Sequence, residues 1–165
     1  MSEALRAWRA SLVRRWHSNS DLCDTNDTDA GHQGRVALLV LSLFPDASRT
    51  LLCHAITHDQ GEVAVGDIPY DAKQKEPDLA ALAAKVEVDE IRAQGFVFAA
   101  LPDRDRRILK LCDHLDAWLW MMRHARHLAK RADWQAQQKM FVAEAISLGA
   151  GPEVRALVAA EEGRV

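Results

Sequence analysis

The sequence predicts an all-α protein, a helical bundle of six or seven helices. Three observations point there. Apolar residues recur at helical spacing in one stretch after another, as in Ile108, Leu111, Cys112, Leu115, Trp118, Leu119 and Met122. No segment shows the apolar–polar alternation of a half-buried strand. Helix punctuation recurs along the chain: Pro77, Gly95, Pro102-Asp103, Gly149 and Gly151-Pro152. At 165 residues with 48 % hydrophobic content, the chain suits a single domain over 1–165.

Residues 3–14 set Leu5, Trp8, Leu12 and Val13 near helical spacing, a short amphipathic helix. Residues 18–30 are rich in Ser, Asn, Asp and Thr, which favours a loop and a helix N-cap near Asp29. Residues 31–44 are helical, with Val36, Ala37, Leu39, Val40 and Leu43 on the buried face, until Phe44-Pro45-Asp46 breaks the helix. Asp46 or Ser48 caps the next helix, which is expected to run to about Gln60 and is apolar enough to be central. Gly61 interrupts it and Gly66-Asp67-Ile68-Pro69 turns the chain. Residues 70–76 are polar and expected to be mobile. Pro77 suits the first position of a helix over 78–94, with Gly95 closing it. A long helix follows Pro102-Asp103, and its basic end, Arg123 to Arg131, favours the helix dipole. Helices over 133–148 and 153–161 complete the chain.

A formal charge of −3 argues against a general nucleic-acid surface, so no nucleic-acid partner is expected. No run approaches the roughly 20 apolar residues of a membrane span, and no apolar leader is evident. Cys23, Cys53 and Cys112 are odd in number and widely spaced, with no CxxC. That pattern fits free thiols and a cytoplasmic location.

The stretch with the most chemistry is Thr57-His58-Asp59-Gln60-Gly61-Glu62. Adjacent helical residues point about 100° apart, so His58 and Asp59 can reach one ion only near a helix end or a local distortion. Gly61 is where such a distortion is tolerated. Glu62 lies one helical turn beyond His58, close enough to serve as a general acid without binding metal. His32, in the first turn of its helix, and Asp113, in an apolar run, complete a set of two imidazoles and two carboxylates. An unpaired Asp113 there would cost several kcal/mol. Such donors suit a divalent transition ion. His54 reads as a hydrogen-bonded core residue. His17, His114, Asp116, His124 and His127 are set aside as surface or supporting groups, and Trp118 as core.

From Arg15 to Leu119 the sequence resembles the HD-domain phosphohydrolases, particularly small bacterial 5′-deoxynucleotidases and phage dATP triphosphohydrolases. The matching stretches are Arg15-Trp16, Gly31-His32, His58-Asp59-Gln60-Gly61-Glu62, Gly66-Asp67-Ile68-Pro69 with Lys73, and Lys110-Leu111-Cys112-Asp113. The resemblance implies an HD-domain helical bundle with His32, His58, Asp59 and Asp113 as metal ligands. Glu62 would handle protons at the phosphoryl centre, and Arg15 would hold phosphate with Lys73 nearby. Trp16 and Asp67 would contact the sugar and favour deoxyribose. Without the resemblance, Arg15 reads equally as a surface helix end, Trp16 as a core aromatic and Asp67 as a turn residue.

The implied cofactor is one divalent transition metal, cobalt, manganese or zinc, with room for a second ion alongside a triphosphate substrate. The implied partner is a small-molecule deoxynucleotide, and the implied assembly a homo-oligomer, a dimer or hexamer. The expected reaction is hydrolysis of a deoxynucleoside monophosphate to deoxynucleoside and phosphate. The alternatives are a deoxynucleoside triphosphohydrolase acting on dATP and a non-catalytic nucleotide-binding HD module.

Overall fold

A computed structural model describes residues 1–164, leaving Val165 of the expected domain outside. Among the described residues there are eight α-helices, three short 3-10 turns and no strand, so the all-α expectation holds. The chain groups into two compact units: Met1–Gly34 with Ile56–Ala99, and Arg35–Ala55 with the chain from Ala100 onward.

The first unit opens with α1 (Glu3–Ala10), capped by Ser2, whose Oγ accepts the Leu5 N–H at 3.3 Å. The helix is shorter than its apolar spacing suggests. It buries Ala10, while Leu5, Trp8 and Leu12 stay exposed. Beyond it the backbone of Ser11 to Arg15 runs beside that of Asp27 to Ala30. Asp29 N–H donates to Val13 O at 3.0 Å, Ala30 N–H to Ser11 O at 3.2 Å and Arg15 N–H to Asp27 O at 3.1 Å. These bonds supply acceptors for donors that a helix start leaves open. They launch α2 (Asp29–Leu43), whose later residues, from Arg35, belong to the second unit.

The chain re-enters the first unit at Ile56, just past the end of α3 (Arg49–Ala55). The sequence predicts that this helix continues to Gln60. It ends five residues earlier because tertiary contacts hold the following turn. The Gln33 amide nitrogen donates to Ile56 O at 2.7 Å and its oxygen accepts the Gln60 N–H at 3.2 Å. Gln94 Nε2 donates to Gln60 O at 2.9 Å. Asp59, at φ −100° and ψ 4°, adopts the bridge conformation. A 3-10 turn over Gln60–Ala64 follows.

That turn presses against α5 (Pro77–Ala93), and a Cβ on Gly61 would lie 2.4 Å from both Cα and O of Glu87. Only glycine lets the two backbones approach this closely. Gly61→Ala is therefore expected to cost about 1–3 kcal/mol, the usual range for overpacking. A denaturant midpoint equal to the parent's would show that the contact is not rigid. Between the turn and α5, residues 70–75 form α4 (Tyr70–Lys75), where a mobile segment was expected. Lys73 Nζ donates to Glu87 Oε1 at 3.4 Å and ties α4 to α5.

The second unit is built on α6 (Asp103–His124), α7 (Ala132–Leu148) and α8 (Gly151–Glu162). Trp118 is 1 % exposed and meets Phe141 edge-on at 5.9 Å, with Leu111, Leu115, Met121 and Val154 buried in the same unit. α6 stops at His124, and the basic stretch continues as a 3-10 turn, Arg126–Lys130. Gly149, at φ +89°, ends α7 in the left-handed region. Asp116 and His114, set aside as surface or supporting groups, are both buried. Asp116 accepts two bonds from Arg35, at 2.7 and 3.1 Å, and His114 Nδ1 lies 3.0 Å from Gln137 Nε2. These partners explain how a polar pair is tolerated on the inner face of α6. No helix among the described residues is long and apolar enough to cross a membrane.

Candidate metal centre

His32 occupies the first turn of α2 and is fully buried. Thr28 caps that turn: its Oγ1 accepts the Gly31 N–H at 3.2 Å, and its carbonyl accepts the His32 N–H at 2.9 Å. The cap was expected near Asp29. With Thr28 and the Ser11–Val13 backbone serving the helix start, the Asp29 carboxylate is released to face inward. Its side chain is fully buried and neither oxygen has a hydrogen-bond partner.

The turn after α3 brings His58 and Asp59 to the same place. Asp59 Oδ2 lies 3.3 Å from His32 Nε2 and 3.5 Å from His58 Nε2. The two rings are 5.1 Å apart and tilted by 58°. One donor atom from each of the three residues falls within a 4.8 Å span. Divalent transition ions take bonds of about 2.0–2.2 Å to imidazole and carboxylate. Two nitrogens and an oxygen converging in this way fit such an ion.

Asp29, Asp59 and Glu62 form a second set whose oxygens also lie within 4.8 Å of one another. Glu62 is 6 % exposed, and its Oε2 has no hydrogen-bond partner. Burial foremost, then the charge of Asp59, pushes the Asp29 carboxyl up to about 8. Burial, then Asp59, Asp67 and Asp29, pushes Glu62 up to about 10, opposed by Lys73. In the absence of a cation, both groups are held as neutral acids at pH 7.

Arg15 and Trp16 lie in the same unit and are fixed by two aspartates. Arg15 Nη1 and Trp16 Nε1 both donate to Asp27 Oδ2, at 3.4 and 3.2 Å, and the guanidinium carbon sits 5.1 Å from the Trp16 ring centre. Asp67 Oδ2 accepts the Trp16 N–H at 2.8 Å. Trp16 has φ +64°, a left-handed conformation that is unfavourable for a bulky side chain. Asp67 helps hold it there. Asp113 is carried by α6 in the second unit, where its Oδ2 accepts from Lys110 Nζ at 3.1 Å.

Thus His32, His58, Asp59 and Glu62 come together, while Arg15, Trp16 and Asp67 form a linked group. Lys73 acts on Glu62 through its charge while pairing with Glu87. Sequence reasoning missed Asp27 and Asp29 as members. The available signal was Asp29 three residues before His32, on one face of a helix. A cavity of about 450 Å³ in the second unit, lined by Arg35, Leu38, Trp120 and Arg123 among others, contains none of the predicted site residues. No family model, curated protein or solved structure matches the chain. A function must therefore be argued from the residues and their geometry.

Proposed function

We propose that the protein is a metal-dependent phosphohydrolase of 2′-deoxynucleotides, acting as a 5′-deoxynucleotidase of the HD type in the cytoplasm. The observation that carries this reading is the convergence of His32 Nε2 and His58 Nε2 on one carboxylate oxygen of Asp59. Asp113 remains a proposed fourth ligand on the strength of the sequence resemblance. When bound, a divalent ion at this centre supplies Lewis acidity, lowering the pKa of water and offsetting phosphoryl charge.

The side chains divide the remaining work. Glu62 is a buried carboxyl beside the donor set, suited to holding a proton for the departing 5′ oxygen. Arg15 offers a planar fork to the phosphate, and Lys73 a compact positive charge. Trp16, fixed at both its backbone and its indole nitrogen, gives the sugar a rigid wall. Asp67 acts on the sugar through Trp16. Trp16→Ala is expected to lower the preference for deoxyribose over ribose by about tenfold or more, the scale of one lost apolar contact in a pocket. An unaltered ratio would remove Trp16 from sugar recognition.

The reading is tested by incubating the protein with manganese or cobalt and a panel of deoxynucleoside mono- and triphosphates. Free phosphate from the monophosphates supports it, and triphosphate from dATP supports the triphosphohydrolase alternative. No turnover of any member by metal-loaded protein would leave only a nucleotide-binding or metal-storing module.

A further inference from the structure

We propose that the cavity of the second unit binds a small amphiphile with an aliphatic chain and an anionic head, such as a medium-chain carboxylate. The cavity measures about 450 Å³, within the range of ligand pockets, and none of the proposed metal ligands lines it. The inference is therefore independent of the phosphohydrolase reading. The cavity lies where α2, α6 and α8 meet, and its walls are aliphatic: Leu38, Leu39, Leu119 and Leu157. Leu38 lines the cavity and is still 63 % exposed, an apolar side chain with room for a partner.

The site is formed in advance. Arg35 donates two bonds to the buried Asp116, at 2.7 and 3.1 Å, and its guanidinium carbon sits 4.2 Å from the centre of the Trp120 ring. The His124 ring lies 4.2 Å from the same indole. These neighbours hold Trp120 as a wall and keep it from collapsing into the space. An ion pair as buried as Arg35–Asp116 adds little stability over apolar packing, but it fixes this stack. A rigid wall lowers the ordering cost of binding. Charge then selects the head group. Asp116 is matched by Arg35, and Glu161 by Arg164 at 3.1 Å. Arg123, exposed on the lining, has no ion pair or hydrogen bond among the described residues. The lining thus carries one surplus fixed positive charge. A guanidinium can give a carboxylate two parallel bonds, which leaves the aliphatic chain to the leucines.

The test is calorimetric titration of the full chain with decanoate, using decanol and decylammonium as controls. One decanoate should bind per chain, and neither control should saturate. Arg123→Glu should weaken decanoate binding by about tenfold or more, the scale of one hydrogen bond to a charged group. Leu38→Glu, at an exposed position where folding is not at stake, should weaken it as well. No saturable uptake of decanoate overturns the site. Equal binding of decanol overturns the anionic head, and unchanged affinity in either variant overturns the location. A wild-type dimer that Leu38→Glu splits, with no decanoate bound by either form, would assign this face to a second copy of the chain instead.

Discussion

Asp59→Ala is expected to release no phosphate above background and to retain far less metal than the parent after dialysis. Asp59 Oδ2 is the atom that both imidazole nitrogens approach, at 3.3 and 3.5 Å. Without it, the donors that converge are the two imidazoles alone, with no carboxylate beside them to offset the charge of a cation. Removing a group that only supports a ligand typically lowers metal affinity about 10- to 100-fold. Loss of a ligand should exceed that. Misfolding is a separate outcome and can be recognised. The charge of Asp59 helps raise both Asp29 and Glu62, so its removal makes those two buried acids easier to ionise and leaves no new charge unpaired in the metal-free centre. In chelator at pH 7 the variant should melt no lower than the parent. Full phosphate release by metal-free Asp59→Ala protein would end the proposal that a metal centre does this work.

The route from sequence to site was uneven for physical reasons. Helical periodicity exposed α6 because Ile108 through Met122 bury one continuous face. The end of α3 was hidden, because Leu51 to Ile56 is a largely apolar run and no glycine or proline interrupts residues 49–60. What stops the helix at Ala55 is distant in sequence: the Gln33 and Gln94 amides and the close packing of Gly61 on α5. Yet His58-Asp59 followed by Gly61 already required a distortion at that point, and the turn over 56–59 provides it. The cap near Asp29 is present, supplied by Thr28, and the inward role of the Asp29 carboxyl stayed hidden for a different reason. Aspartate ahead of a helix usually caps it, and only the backbone pairing of Ser11 to Arg15 with Asp27 to Ala30 shows that the cap was not needed. Asp67 in its Gly-Asp turn looked structural or sugar-binding. It holds the backbone of Trp16, a contact across 51 residues that local pattern cannot reveal.

Glu62→Gln tests proton handling while leaving His32, His58 and Asp59 in place. The amide keeps the size of the side chain but carries no acidic proton, so kcat should fall by about 10²-fold or more with nucleotide binding retained. Unchanged kcat would exclude Glu62 as the proton source. A second readout needs no substrate. In metal-free protein, burial pushes the Glu62 carboxyl up from its ordinary 4.5 to about 10. As pH rises above 4.5 the unfolded chain loses this proton while the folded chain keeps it, so stability falls with rising pH. Asp29, raised from 3.8 to about 8, acts in the same direction over its own range. The parent in chelator should therefore lose melting temperature steadily from pH 5 to pH 9. Glu62→Gln removes the larger of the two titrations and should flatten that decline, even where the parent is already less stable. Parallel melting curves for the two proteins would mean that Glu62 does not keep its proton in the folded chain. The same result would take away the physical basis for its role as an acid.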